Sequence, residues 1–88
     1  SNYRVAVGRS KKVAGPYLDR NGKDMREGGG NIFLEGDKRE FEAAGHCAAY
    51  SFADGDWFVC HGYSMQKNGA PLLIQKKISW TADGWPTL

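Results

Sequence analysis

The stretch AAGHCAAYSFADGDWFVCHGY, residues 43–63, decides the fold of this chain. Two runs rich in alternating and aromatic residues flank Asp54-Gly55, and such a dipeptide between two runs is a strong signal for a β-hairpin. If Asp54-Gly55 forms a two-residue turn, Ala48 faces His61 and His46 faces Tyr63. His46 and His61 then become diagonal neighbours on one face, within reach of each other.

The rest of the chain extends this pattern into an all-β fold. Helical periodicity is interrupted nearly everywhere by 12 glycines and by turn dipeptides. Further strands are expected at residues 3–9, 17–18, 31–34 and 72–80, with turns at Asn68-Gly69 and Asp83-Gly84. Residues 35–45 are expected to form a charged connection. The sequence therefore predicts antiparallel sheet joined by polar loops.

Length and charge exclude several classes of protein. A chain of 88 residues can form one small domain at most, with a marginal core. The net charge of +2 arises from scattered charges, which predicts no nucleic-acid partner. The longest apolar run, residues 70–74, is far shorter than a membrane helix, and the first residues lack the pattern of a signal peptide.

The two histidines and two cysteines of the hairpin suggest a zinc site, but strand alternation argues against it. Alternation sends His46 and His61 to one face and Cys47 and Cys60 to the other. The cysteines are also too offset for a relaxed disulfide. From the residues alone, His46 is interpreted as a buried histidine whose nitrogens bond to backbone groups, and His61 as a strand histidine buried in the sheet packing.

Several motifs, in order along the chain, resemble glycoside hydrolase family 43, and its endo-arabinanases above all. They are VGRSKKVAGPYLDRNGKDM at 7–25, GGG at 28–30, LEG at 34–36, GH at 45–46, DWFVCHGY at 56–63 and ISWTADGWPTL at 78–88. The resemblance implies the C-terminal fragment of a five-bladed β-propeller. An antiparallel four-stranded blade, the fifth, would occupy residues 46–88, and the outer strands of the fourth blade would occupy residues 1–36.

The resemblance also implies a chemistry that this chain does not complete. The family cleaves α-L-arabinofuranosyl linkages in arabinan or a related plant polysaccharide by an inverting mechanism, which needs two carboxyl groups on opposite sides of a sugar ring. In the family these groups come from the first three blades, so no residue here is assigned as catalytic. The aspartates of this chain lie in or beside turns, where they are expected to bind loop backbone.

His46 is the one site residue that the resemblance assigns. It matches a Gly-His motif whose histidine helps to hold a hydrated calcium ion in the complete propeller, where waters supply the remaining ligands. The family often has asparagine after this histidine, and Cys47 stands there instead. No substrate-binding residue can be assigned. Most aromatic residues are expected to pack between blades, and Arg9 is expected to brace the turn of its Gly-Arg-Ser motif.

The same residues are compatible with two other functions. The chain could be a non-catalytic carbohydrate-binding propeller that assembles from several short copies, or an inactive truncated remnant. In each case the chain alone is predicted to be inactive, and its uncovered strand edges predict that it needs further blades, on a companion chain or by self-association. The family resemblance further implies a secreted or periplasmic protein.

Overall fold

The computed structural model describes residues 3–88 and is built almost entirely of antiparallel β-strands. The elements are β1 (Arg4–Val7), a 3-10 helix (Met25–Glu27), β2 (Asn31–Glu35), β3 (Phe41–Phe52), β4 (Gly55–Ser64), β5 (Ala70–Lys77), β6 (Ser79–Trp80) and β7 (Pro86–Thr87). No helical segment within residues 3–88 has the length and hydropathy that a membrane crossing requires. The predicted all-β class is confirmed.

Three sheets organise these strands. β3, β4 and β5 form the largest, and β1 pairs with β2 while β6 pairs with β7. Three hydrogen-bonded strands of the expected four-stranded blade are therefore present, and no fourth strand joins this sheet within the described residues. Next to β1, the Tyr3 carbonyl accepts a hydrogen bond of 3.2 Å from the Ala44 N–H of β3. This bond ties the first sheet to the largest one.

The predicted charged connection at 35–45 is partly wrong, because β3 already begins at Phe41. Its first residues include the most buried part of the strand, Ala43-Ala44-Gly45. The start of this strand was not predicted because the charged Glu40 and Glu42 are typical of a loop. The loop before it is closed by the Asp37 carboxylate, which accepts the backbone N–H groups of residues 39, 40 and 41. Only residues 36–40 connect β2 to β3.

The predicted register of the central hairpin is also wrong. Phe52 pairs with Gly55, so Ala53-Asp54 form the two-residue loop, and Ala48 faces Val59 instead of His61. Gly55 belongs to β4 and has a φ of 134°, a value that residues with a side chain rarely adopt. The Asp54 carboxylate accepts the indole N–H of Trp57 at 3.1 Å, which fixes the loop over the strand that follows.

The core lies between one face of the large sheet and the β1–β2 pair. Phe58 is 3% exposed, and its ring meets Phe33 of β2 edge to face at 4.9 Å between centroids. The members of this core are Ala44, Phe58, Cys60 and Ile74, with the partly buried Val5, Phe33, Leu34, Phe41 and Ile78 packed against them. Apolar packing thus acts together with the hydrogen bond between Ala44 and Tyr3 to hold the two sheets together.

The opposite face of the large sheet, which we call the outer face, is uncovered. Strand alternation places Tyr50, Phe52 and Leu73 there, and all three are more than 60% exposed. The Tyr50 and Phe52 rings stack at 6.2 Å between centroids. Of the aromatic residues expected to pack between blades, Phe58 and Trp85 are buried within the chain, whereas Tyr50, Phe52 and Trp80 are exposed. An apolar face of this kind is typical of an interaction surface.

Asp19 organises the long loop between β1 and β2. One carboxylate oxygen accepts the N–H groups of Asn21 and Lys23, both at 2.9 Å, and the other accepts the Gly30 N–H at 3.0 Å. These bonds, chiefly the one from Gly30, lower the pKa of Asp19 below its ordinary value. The expected role of this aspartate in binding loop backbone is confirmed.

Replacement of Asp19 by asparagine is therefore expected to destabilise the protein at neutral pH, since an amide N–H would then meet a backbone N–H. The folded pKa of Asp19 lies below its unfolded value of about 3.9, so the carboxylate contributes its full stability above about pH 4. That contribution is lost as the pH falls through the folded pKa. Urea unfolding of wild type and D19N between pH 7 and pH 2 checks this, and a pH-independent difference would contradict it.

Candidate functional site

His46 lies in a β-bulge on β3. Gly45 pairs with His61 and Ala48 pairs with Val59, so that both His46 and Cys47 stand opposite the single residue Cys60. His46 has a φ of 55°, in the left-handed region that residues with a side chain seldom occupy. Such outliers are frequent at functional sites, where the surrounding structure maintains them.

The register of the central hairpin brings the two histidines together, since the pairing of Ala48 with Val59, continued along β3, leads to His46 opposite His61. The imidazole centroids of His46 and His61 are 5.5 Å apart, and the ring planes meet at 62°. The predicted proximity is confirmed, although the observed register differs from the predicted one and the bulge leaves Gly45, the neighbour of His46, paired with His61. Both side chains are exposed, so the interpretation of His46 as a histidine buried within this chain is wrong. Two adjacent imidazoles open to one side are available to bind a ligand.

Gly45 explains why a glycine precedes this histidine. A Cβ atom at Gly45 would lie 2.5 Å from the ring of Tyr3, which is far inside contact distance. The bare backbone therefore lets the Tyr3 ring close over β3 next to the bulge. A larger residue at position 45 would displace either that ring or the strand that carries His46.

The two cysteines are free thiols in different surroundings. Cys47 is exposed beside His46, whereas Cys60 is buried in the core. Burial is the main cause that raises the pKa of the Cys60 thiol, with a further contribution from the charge of Cys47. Cys60 therefore behaves as a small apolar core residue and stays protonated at neutral pH.

The donor atoms near His46 limit which metal could bind. Within residues 3–88, no three side chains of histidine, cysteine, aspartate or glutamate lie close enough together to hold an ion. Calcium prefers six to eight oxygen ligands. The described residues therefore do not form a calcium site by themselves, and the exposed His46 imidazole could fill one position among waters and oxygen ligands supplied from elsewhere.

The aspartates of the chain hold local structure. Asp56, at the end of the hairpin, accepts the Ser51 hydroxyl at 2.6 Å and the Trp80 indole N–H at 2.7 Å, and these bonds lower its pKa. The pKa values of Asp19, Asp37 and Asp83 are also lowered, in each case chiefly by hydrogen bonds. A general acid needs the opposite shift. These four carboxyl groups are therefore suited to permanent charge and not to proton donation.

The family model described as Glycosyl hydrolases family 43 matches residues 1–86. The chain belongs to glycosyl hydrolase family 43. It is 42% identical over 86 residues to an extracellular exo-α-(1→5)-L-arabinofuranosidase of Cellvibrio japonicus. This match covers 98% of this chain and 24% of that protein. An extracellular endo-α-(1→5)-L-arabinanase of Bacillus subtilis is 39% identical over 87 residues, and the match covers 99% of this chain and 25% of that protein.

Solved structures of family 43 enzymes share the fold. An exo-1,5-α-L-arabinanase from a bovine ruminal metagenomic library superposes with a TM-score of 0.94 at 48% identity, covering 99% of this chain and 28% of that one. The α-L-arabinanase of Cellvibrio cellulosa gives a TM-score of 0.95 at 39% identity, with 99% and 27% covered. The latter was also solved with arabinohexaose. The predicted fold, part of a five-bladed propeller, is confirmed, and this family 43 chain spans about a quarter of the length of these relatives.

Proposed function

We propose that this chain is the C-terminal part of an enzyme that cleaves α-L-arabinofuranosyl linkages in arabinan or a related plant polysaccharide by an inverting mechanism. The observation that carries the proposal is the 42% identity to an arabinofuranosidase over nearly the whole chain, together with coverage of only 24% of that protein. The catalytic carboxylates would lie outside these residues. The lowered pKa values of the aspartates support this division.

The role of the chain in the enzyme is architectural. Residues 1–36 would supply the outer strands of the fourth blade, and residues 46–88 the fifth blade. The uncovered outer face, with Tyr50, Phe52 and Leu73, would pack against a neighbouring blade, because such a patch is unfavourable in water. That blade would belong to the rest of the same protein, to a companion chain or to another copy. The named relatives are extracellular, which favours secretion of the protein that carries this chain.

His46 is proposed to contribute one nitrogen to the shell of a calcium ion next to the catalytic carboxylates. Its exposure, its left-handed φ and the neighbouring His61 support a role in binding. Calcium would supply a fixed positive charge that orients its ligands. Residues of this chain would hold the imidazole in place, because the Tyr3 ring packs closely against Gly45 next to the bulge.

The test uses the complete protein and linear arabinan, with chromatography of the released sugars. We expect hydrolysis with inversion at the anomeric carbon, and His46→Ala should lower kcat/KM by about 10–100-fold, as losses at metal shells usually do. The variant should also bind calcium more weakly in isothermal titration. Cys47→Ser is the matched control, since it changes a neighbouring exposed side chain without altering charge. Failure to cleave arabinan would contradict the proposed activity, and unchanged calcium binding in His46→Ala would contradict the role of this residue.

A further inference from the structure

A basic groove lies far along the chain from His46, between the long β1–β2 loop and the C-terminal turn. It has a volume of about 920 Å³, and its cations are Arg9, Lys11, Lys12 and Arg20. The buried Trp85 lies beneath the two arginines, and Asp19 and Asp83 are the carboxylates of the lining. These charges are scattered along the sequence and come together only through the fold of the loop.

The groove holds the excess positive charge of the whole chain. The sequence contains 12 basic and 10 acidic side chains. When the four cations and two carboxylates of the groove are set aside, the remaining charges balance. Both carboxylates remain charged: Asp19 accepts three backbone N–H groups, and Asp83 accepts the Thr81 hydroxyl at 2.5 Å and is attracted by Arg20 and Arg9. Because the four cations outnumber the two carboxylates, an anion in the groove would meet a net positive charge.

Trp85 organises the two arginines. The Arg9 guanidinium lies 4.3 Å from the Trp85 ring centroid and donates to the Asp83 carbonyl at 2.5 Å. Arg9 thus connects two parts of the chain that are 74 residues apart and stabilises the contact between the long loop and the C-terminal turn. The Arg20 guanidinium lies 5.4 Å from the same ring, and makes no hydrogen bond within the part of the chain that the structure describes. Its donors are free to bind a carboxylate in the paired geometry that guanidinium groups favour.

From this geometry we infer that the basic groove binds an acidic oligosaccharide, through carboxylates of its sugar units. The groove is much larger than a single small anion, and its cations lie on two separate chain segments, which suits an extended ligand with several negative charges. The small net charge argues against nucleic acid. A polysaccharide ligand rests on the proposed function, in which the enzyme acts on plant polysaccharide. Because Trp85 is buried, recognition depends on charge and not on stacking against a sugar ring.

The test measures binding of a tetragalacturonate to the complete protein by isothermal titration at low salt. Arg20→Gln with Lys12→Gln should weaken binding by about tenfold or more, the loss expected for one or two charge-assisted hydrogen bonds. Lys67→Gln with Lys76→Gln is the matched control, because it removes the same charge from exposed positions outside the groove. Its affinity should stay within about twofold of wild type, since remote surface charges are largely screened.

The outcomes separate this inference from the proposed function. Hydrolysis of neutral arabinan should be unchanged in the groove variant. If the wild-type protein did not cleave arabinan, the proposed function would be overturned, whereas tetragalacturonate binding tests the groove separately. Absence of tetragalacturonate binding, or equal weakening of binding in the control variant, would overturn the inference that the groove binds an acidic oligosaccharide. If inorganic phosphate at millimolar concentration displaced all of the tetragalacturonate, the groove would be a site for small anions. That result would also overturn the inference of an acidic oligosaccharide ligand.

Discussion

Replacement of Phe58 by alanine is expected to lower the free energy of unfolding by about 3–5 kcal/mol, the usual cost of removing a buried aromatic side chain. Phe58 is 3% exposed and lies where the large sheet meets β1–β2, against Phe33. Its loss would leave a cavity in the interface that holds the two sheets together. The cavity would be lined by the apolar side chains of both sheets that pack against Phe58, and their partial relaxation sets where in this range the cost falls.

Urea unfolding of the complete protein, followed by tryptophan fluorescence, measures the effect. Val13→Ala is the control, because Val13 is 95% exposed and should change the free energy by no more than about 0.5 kcal/mol. Equal effects of the two substitutions would contradict the placement of the core between these sheets. Phe58→Leu should retain most of the stability if apolar volume is what matters.

Replacement of Trp85 by alanine is expected to cost a similar amount, about 3–5 kcal/mol. The ring is 4% exposed beneath Arg9, and its backbone closes the C-terminal turn with Thr81 through two hydrogen bonds of 2.8 and 2.9 Å. The substitution removes buried apolar surface and the cation–π contacts with both arginines. It should also release the C-terminal segment from the β1–β2 loop.

The same unfolding experiment, with hydrogen exchange of residues 79–88, separates these consequences. Trp85→Phe is the matched variant: it keeps a buried ring and should recover most of the stability. Exchange in this segment should become faster in Trp85→Ala than in Trp85→Phe. If both variants had wild-type stability, Trp85 would not tie the C-terminal turn to the long loop.

The strands could be predicted from the sequence because their signals are local. Alternation and turn dipeptides placed most of β1, β2, β4 and β5 and the hairpin that contains Trp57. The bulge at His46 could not be found in this way, since nothing in an alternating pattern reveals a left-handed φ at a single histidine. The hairpin turn was misplaced by one residue because Gly55 begins a strand instead of closing the turn.

Non-local contacts account for what the sequence did not reveal about the site. The proximity of His46 and His61 followed from pairing across one hairpin, which spacing can predict. The Tyr3 ring against Gly45, the stacking of Arg9 on Trp85 and the basic groove all join segments that are distant in sequence. The prediction that the catalytic carboxylates lie outside this chain came only from the family resemblance and stays a prediction.

Hydrolysis of linear arabinan by the 88-residue chain alone, compared with the complete protein, tests the central claim most directly. Purified chain and complete protein are incubated at equal molar concentration, and new reducing ends are counted over time. We expect release of sugars by the complete protein and none by the isolated chain, because the chain is proposed to supply blade strands and His46 but no pair of catalytic carboxylates. Arabinan cleavage by the isolated chain would contradict it.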